Sequence, residues 1–202
     1  MLYAFGRCLA RWLFILGFDV RVRRPLHAVP SGGFVLASNH QSYLDPPLLG
    51  ACLERPVSFM ARDTLFRNPV FGGLIRRVGA FPVRRDGIGK DGLKEAVRRL
   101  KGGSAVVVFV EGTRTRDGRV GEVRDGAGLL SRLAGVPVVP AAVDGAWRAW
   151  PRGRALPRPG RIRTAFGDPI PASRFRQDPE GARLELETSI RSLHSSLREP
   201  KA

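Results

Sequence analysis

The run 104–110 (SAVVVFV) constrains this chain more than any other segment. Its apolar residues are consecutive rather than alternating with polar ones, the pattern of a strand buried on both faces. Such a strand belongs inside a sheet covered by helices on each side. The segment before it agrees: within 89–101, Leu93, Val97 and Leu100 fall at i, i+4 and i+7, and Gly102 ends the pattern, which predicts an amphipathic helix with a glycine stop.

The same reading extends along the chain. Strands are predicted over 19–23, over 34–38 (FVLAS, following the turn Pro30-Ser31-Gly32-Gly33), and over 57–60, 80–83, 136–143 and 161–166. Pro137 and Pro140 suggest that 136–143 is an edge strand or lines a ligand. Helices are predicted from about Pro46, with Asp45 as N-cap, over 68–78 (Val70, Phe71, Leu74, Ile75, Val78), over 125–134, and at the C-terminus around Leu186, Ile190, Leu193 and Leu197. The proline- and arginine-rich stretch 147–160 reads as a surface loop. Strands alternating with helices give the fold class: α/β, a single domain with a mixed, mainly parallel sheet flanked by helices.

With 202 residues, 43% of them hydrophobic, the chain can build one core. The net charge of +16, from 34 basic and 18 acidic residues, implies attraction to polyanions: nucleic acid, phospholipid headgroups or phosphorylated substrates. Only Lys90, Lys94, Lys101 and Lys201 are lysines. Part of the arginine excess is therefore assigned to genomic base composition, which discounts the nucleic-acid reading. Cys8 and Cys52 match no metal or redox spacing and no disulfide framework, so a reducing compartment is expected.

Residues 1–18 (MLYAFGRCLARWLFILGF) are apolar but interrupted by Arg7 and Arg11. A membrane span needs roughly 20 apolar residues, and a signal peptide needs a small-residue cleavage site, so neither is read here. An amphipathic helix lying in an anionic membrane interface is expected, with docking on the core as the competing reading.

Chemistry concentrates in NHQSYLDPP. His40 follows the strand FVLAS and Asp45 stands five residues later, held extended by the proline after it. A turn that folds the carboxylate onto one ring nitrogen leaves the other free to take a proton from a substrate hydroxyl. From spacing alone the plain alternative stays open: Asp45 caps a helix and His40 packs. His27 and His194 carry no such pattern and are read as structural or solvated.

NHQSYLDP resembles the first motif of the glycerolipid acyltransferases, best known from the lysophosphatidic acid (1-acyl-sn-glycerol-3-phosphate) acyltransferases. GAFPVRR, with Gly79 and Arg85, resembles the second motif, and VVFVEGTR, with Glu111, Gly112, Thr113 and Arg114, the third. VPVVPA, with Pro137 and Pro140, resembles the fourth. The four stand in the family's order over a motif core of 34–141. Two positions depart from the pattern: Val110 stands where proline is usual, and Arg62 where lysine is common, which keeps the charge but changes its geometry.

The resemblance implies a glycerol-phosphate acyltransferase-like fold over 19–202, behind the membrane-associating helix 1–18. It implies that His40 is the general base, Asp45 its partner, and that Arg62, Arg85, Glu111, Gly112, Thr113 and Arg114 bind substrate. Glu111 is left with two roles, binding a glycerol hydroxyl or holding its loop by pairing with an arginine. Backbone amides near His40 are expected to stabilise the oxyanion. Acyl-CoA or acyl carrier protein would be the co-substrate, with no metal, no other cofactor and no specific nucleic acid. The expected place of action is the cytoplasmic face of an anionic membrane, peripherally bound.

Three other readings compete. Gly87, Gly89 and Gly92 form a GxGxxG, but Arg84, Arg85 and Asp86 separate it from the preceding strand, where a pyrophosphate turn should follow at once. Other acceptors, another lysolipid or a different hydroxyl, fit the same motifs. A non-enzymatic basic module, resting on the charge and on Arg148, Arg152, Arg154 and Arg158, is the reading from a different class.

Overall fold

The structure is a computed structural model that describes residues 17–24, 30–53, 55–83 and 89–198. All but the last two residues of the expected helix 1–18 lie outside the described residues, as do His27 and Arg85.

Seven strands form one sheet among the described residues: β1 (Asp19–Arg24), β2 (Phe34–Ser38), β3 (Val57–Arg62), β4 (Ala80–Val83), β5 (Ala105–Phe109), β6 (Val138–Asp144) and β7 (Arg161–Phe166). Their order is β1-β7-β6-β2-β5-β3-β4. Every pairing is parallel except β6 with β7, so the sheet is mainly parallel. The helices are α1 (Asp45–Cys52), α2 (Pro69–Arg77), α3 (Lys90–Lys101), α4 (Gly126–Ala134), α5 (Ala146–Ala149), α6 (Ala172–Gln177) and α7 (Pro179–Arg198), with a 3-10 turn over Asp63–Phe66.

The consecutive apolar runs behave as a doubly covered sheet requires. Phe34, Leu36 and Val107 point into one core with Leu48 and Leu49 of α1, while Val35, Ala37, Val106 and Val108 point into the other with α3, α4 and α7. Each large apolar side chain so buried contributes about 1.5–3 kcal/mol. On α7 the predicted positions Leu186, Ile190, Leu193 and Leu197 are all buried.

Two expectations change. β6 is an interior strand between β2 and β7, not an edge. It tolerates Pro140 because a strand residue points its N–H and C=O to the same side, and that side lies just past the end of the β7 ladder, where Gly167 N–H donates to the Pro140 carbonyl (2.8 Å). The missing N–H therefore breaks no ladder bond. The stretch 147–160 also begins inside a single helical turn, α5, before becoming loop.

Gly79 explains the glycine of the second motif. Its φ is 95°, and a Cβ there would sit 2.3 Å from the Val57 carbonyl oxygen. Only glycine lets the chain turn from α2 into β4 so close to β3. That role belongs to the fold.

Because β2, β3 and β5 are parallel, their C-terminal ends share one edge of the sheet. The loops carrying His40 and Glu111 leave from that edge, and Arg62 is the last residue of β3 there, where ligands of parallel sheets bind.

Candidate active site

β2 ends at Ser38, and the chain crosses to α1 in six residues. Within that turn Asp45 is completely buried, and its Oδ2 accepts three hydrogen bonds: from His40 Nδ1 (2.7 Å), Gln41 N–H (2.6 Å) and Ser42 N–H (2.7 Å). The sequence suggested an extended Asp45 acting as N-cap. Instead α1 starts at Asp45 itself, and the side chain makes no cap bond. The carboxylate reaches back to the amides three and four residues earlier, and that reach is what forms the turn.

An acceptor-only carboxylate at 2.7 Å places the proton on Nδ1, so Nε2 is the ring nitrogen able to take one. The imidazole lies flat on Phe109 of β5 (centroids 3.8 Å apart, planes at 14°) and is 17% exposed. It is thus oriented from two sides and open on a third.

The loop after β5 wraps this turn. Glu111 Oε1 accepts from His40 N–H (3.2 Å), and Thr115 N–H donates to the His40 carbonyl (2.8 Å). Gly112, at φ 67°, turns its N–H back to the Phe109 carbonyl (3.0 Å). Beyond it opens a cleft of about 500 Å³ whose walls include Glu111, Thr113, Arg114, Arg116, Arg119 and Arg152. The Arg114 guanidinium stacks 3.6 Å from the centre of the Tyr43 ring, and its Nη1 is buried with no acceptor among the described residues. Tyr43 in turn meets Trp150 edge-on (5.5 Å).

Glu111 was left between two roles by the sequence. In the structure two backbone N–H groups, of His40 and Gly121, hold its carboxylate. Burial raises its pKa to about 7 even though those N–H groups favour the ionised form. The sign of the consequence follows. A carboxyl near 4.5 when unfolded and near 7 when folded stabilises the protein fully below 4.5, and that contribution is lost as pH rises through 7. Urea midpoints are expected to fall between pH 5 and pH 8 by an equivalent of about 2–3 kcal/mol, and the difference should flatten in Glu111→Gln. An equally steep fall in that variant would assign the transition to another group.

Some residues of the site carried no signal in sequence. Gln41 Nε2 donates to the Gly118 carbonyl (2.9 Å) and lies 3.3 Å from His194 Nε2, while its Oε1 accepts from Trp147 N–H (3.2 Å). His194 is buried and also faces Asp144 (3.4 Å). Gln41 thus ties the His40–Asp45 turn to α5, α7 and the loop after β5. Asn39 closes the other flank, with two hydrogen bonds to the backbone of Val143 (2.9 and 2.8 Å). Of the expected binding residues, Glu111, Thr113 and Arg114 meet at the cleft, with Gly112 shaping the loop, and Arg62 stands exposed on the same sheet edge; Arg85 lies outside the described residues.

The N–H groups of His40, Gln41 and Ser42 are all taken by Glu111 and Asp45. The resemblance implied that backbone amides near His40 stabilise the oxyanion; in this arrangement these three already have acceptors. Among the described residues no cluster of three or more His, Cys, Asp or Glu could hold a metal ion.

The family model for Acyltransferase matches residues 19–144, well over half of the chain and the whole of the turn just described. The chain belongs to the acyltransferase family. The 1-acyl-sn-glycerol-3-phosphate acyltransferase of Bacillus subtilis is 29% identical over 188 residues, covering 93% of this chain and 92% of that protein. A chloroplastic 1-acyl-sn-glycerol-3-phosphate acyltransferase of Brassica napus is 35% identical over 143 residues, 69% of this chain but 41% of its own length. The crystal structure of the acyltransferase PlsC from Thermotoga maritima superposes with a TM-score of 0.82 at 27% identity, over 100% of this chain and 80% of that one. This acyltransferase therefore shares its sheet, its helices and its overall layout with an enzyme of the 1-acylglycerol-3-phosphate O-acyltransferase type, and phospholipid synthesis is the setting its relatives indicate.

Proposed function

We propose that this acyltransferase moves a fatty acyl chain from acyl-CoA or acyl carrier protein to the free hydroxyl of a lysophospholipid, 1-acylglycerol-3-phosphate, giving phosphatidic acid. The observation that carries the reading is the 2.7 Å contact between His40 and a fully buried Asp45 beside an arginine-lined cleft. The activity for which the relatives are named supports the choice of acceptor.

In the proposed step His40 Nε2 takes the acceptor's hydroxyl proton while the oxygen attacks the thioester carbonyl. The tetrahedral adduct collapses, the carbon–sulfur bond breaks, and the leaving thiolate receives the proton from the imidazolium. Asp45 stabilises the imidazolium between these events. An ester and a free thiol result, with no covalent enzyme intermediate. The buried Nη1 of Arg114 supports an anionic ligand in the cleft, because a guanidinium donor without an acceptor is costly until a phosphate or carboxylate meets it. Arg62 and Arg85 are proposed to add to phosphate binding.

The acceptor and product are lipids, so work at the cytoplasmic face of a membrane is part of the proposal; among the described residues no helix is long and apolar enough to cross one. Purified protein given palmitoyl-CoA and lysophosphatidic acid in detergent is expected to release thiol only with acceptor present and to form a diacyl product identifiable by mass spectrometry. Thiol release without acceptor would replace the reading with a thioesterase. No product with either donor or any lysolipid would overturn it.

A further inference from the structure

Helix α2 is amphipathic, and its apolar stripe faces outward. Successive helical residues turn by about 100°, so Val70, Leu74 and Phe71 share one face. These side chains are 82%, 57% and 45% exposed, and Leu65 in the preceding 3-10 turn is 37% exposed. The inward edge carries Gly72 and Ile75 instead: Ile75 packs on the core, and a Cβ at Gly72 would lie 2.9 Å from the Phe66 carbonyl oxygen. Asn68 fixes the start of the helix by accepting from Phe71 N–H (3.0 Å). With its glycine edge pressed on the backbone of the 3-10 turn, α2 cannot roll its stripe inward.

Arginines surround the stripe. Arg62, Arg67 and Arg77 are exposed around it, Arg76 lies on the other side of the helix with its guanidinium over the Phe66 ring (4.7 Å), and Asp63 is the one acidic residue in 62–78.

We infer that this stripe and its arginine rim dock the protein on the surface of an anionic phospholipid bilayer, an inference that rests on the lipid substrate proposed above. Three observations favour that occupant. The apolar residues protrude from a convex helix, which a fluid interface accepts and a complementary protein groove must be built to fit. Two copies meeting through this face would bring like-charged rims together, whereas anionic headgroups neutralise them. The placement is also productive. The 3-10 turn and α2 follow the C-terminal end of β3, on the edge that carries His40 and Glu111, so docking here turns the catalytic edge toward the lipid.

The test compares the full chain with two multiple variants, Val70→Gln/Phe71→Gln/Leu74→Gln and Arg67→Gln/Arg77→Gln, by co-sedimentation with phosphatidylcholine vesicles with and without phosphatidylglycerol. The parent is expected to prefer the anionic vesicles. The apolar variant should lose about tenfold in partitioning, and the arginine variant about thirtyfold, selectively on anionic vesicles. Circular dichroism and melting temperature should match the parent, since every altered side chain is exposed. Vesicle binding equal to the parent's in both variants would overturn the inference. So would a fall in oligomeric mass by light scattering, or a loss confined to binding of an acidic acyl carrier protein. Acyl transfer to lysophosphatidic acid in detergent is read in parallel: transfer in both variants with lost vesicle binding supports docking, and absence of transfer in the parent removes the substrate reading without touching the vesicle result.

Discussion

Replacing His40 with alanine is expected to reduce acyl transfer by about 10³–10⁴-fold while leaving the fold intact. The size follows from what the imidazole is asked to do: an unactivated hydroxyl attacks a thioester slowly, and a positioned general base contributes up to about 10⁴. The fold survives because the backbone around His40 is held independently of its side chain. Its N–H goes to Glu111, its carbonyl receives Thr115 N–H, and Asp45 keeps the Gln41 and Ser42 amides. Only the stack on Phe109 and one side-chain hydrogen bond are lost. Since the loss falls on the transition state, kcat should drop with KM little changed. Steady-state thiol release and a thermal melt of the same preparations decide it. A variant within tenfold of the parent would remove His40 from the reaction, and a collapsed melt would assign it a structural role.

How far the sequence foretold these contacts depends on how local each one is. Consecutive apolar residues announced β2 and β5, because a strand covered on both faces has no polar side to show. The direction in which a helix turns its apolar stripe is a different matter. Periodicity marked Val70, Phe71, Leu74, Ile75 and Val78 together, and nothing in it distinguishes which of them face inward; the buried Gly72 edge against Phe66 decides that, through a contact of backbones. Pro140 was misplaced for a related reason. Proline forbids a ladder bond on one side of a strand, and which neighbour lies on that side is set by where β7 stops.

The turn from His40 to Asp45 shows the same division. His40 and Asp45 are five residues apart, so their contact could be anticipated from the chain alone. Asp45 gathering the amides of Gln41 and Ser42 depends on turn dihedrals, and reading it as a cap placed the carboxylate on the wrong side of its own backbone. The contact of Gln41 with His194 spans 153 residues, and no local pattern marks either member. Glu111 was recognisable as a motif residue, but its raised pKa comes from burial beneath the loop that reaches Gly121, a tertiary effect. Legibility therefore ends where a side chain's partner lies on another element.

Asp45→Asn is expected to lower both activity and stability, which separates it from His40→Ala. Oδ2 accepts from three donors, and no described residue donates to Oδ1. An asparagine that keeps its oxygen at the Oδ2 position preserves those bonds but buries an NH₂ where nothing accepts it. The flipped amide sets that NH₂ against two backbone N–H groups and the ring. Either arrangement leaves a buried donor unpaired, costing about 1–3 kcal/mol. The first keeps the Nδ1–H tautomer but removes the negative charge that stabilises the imidazolium, and the second imposes the wrong tautomer. Acyl transfer should fall by about 10²–10⁴-fold, the range of general-base catalysis, since His40 remains present but is no longer correctly poised. Urea unfolding and thiol release on one preparation measure both effects. Unchanged stability with full activity would show that the carboxylate neither holds the turn nor serves His40, and the dyad would have to be abandoned.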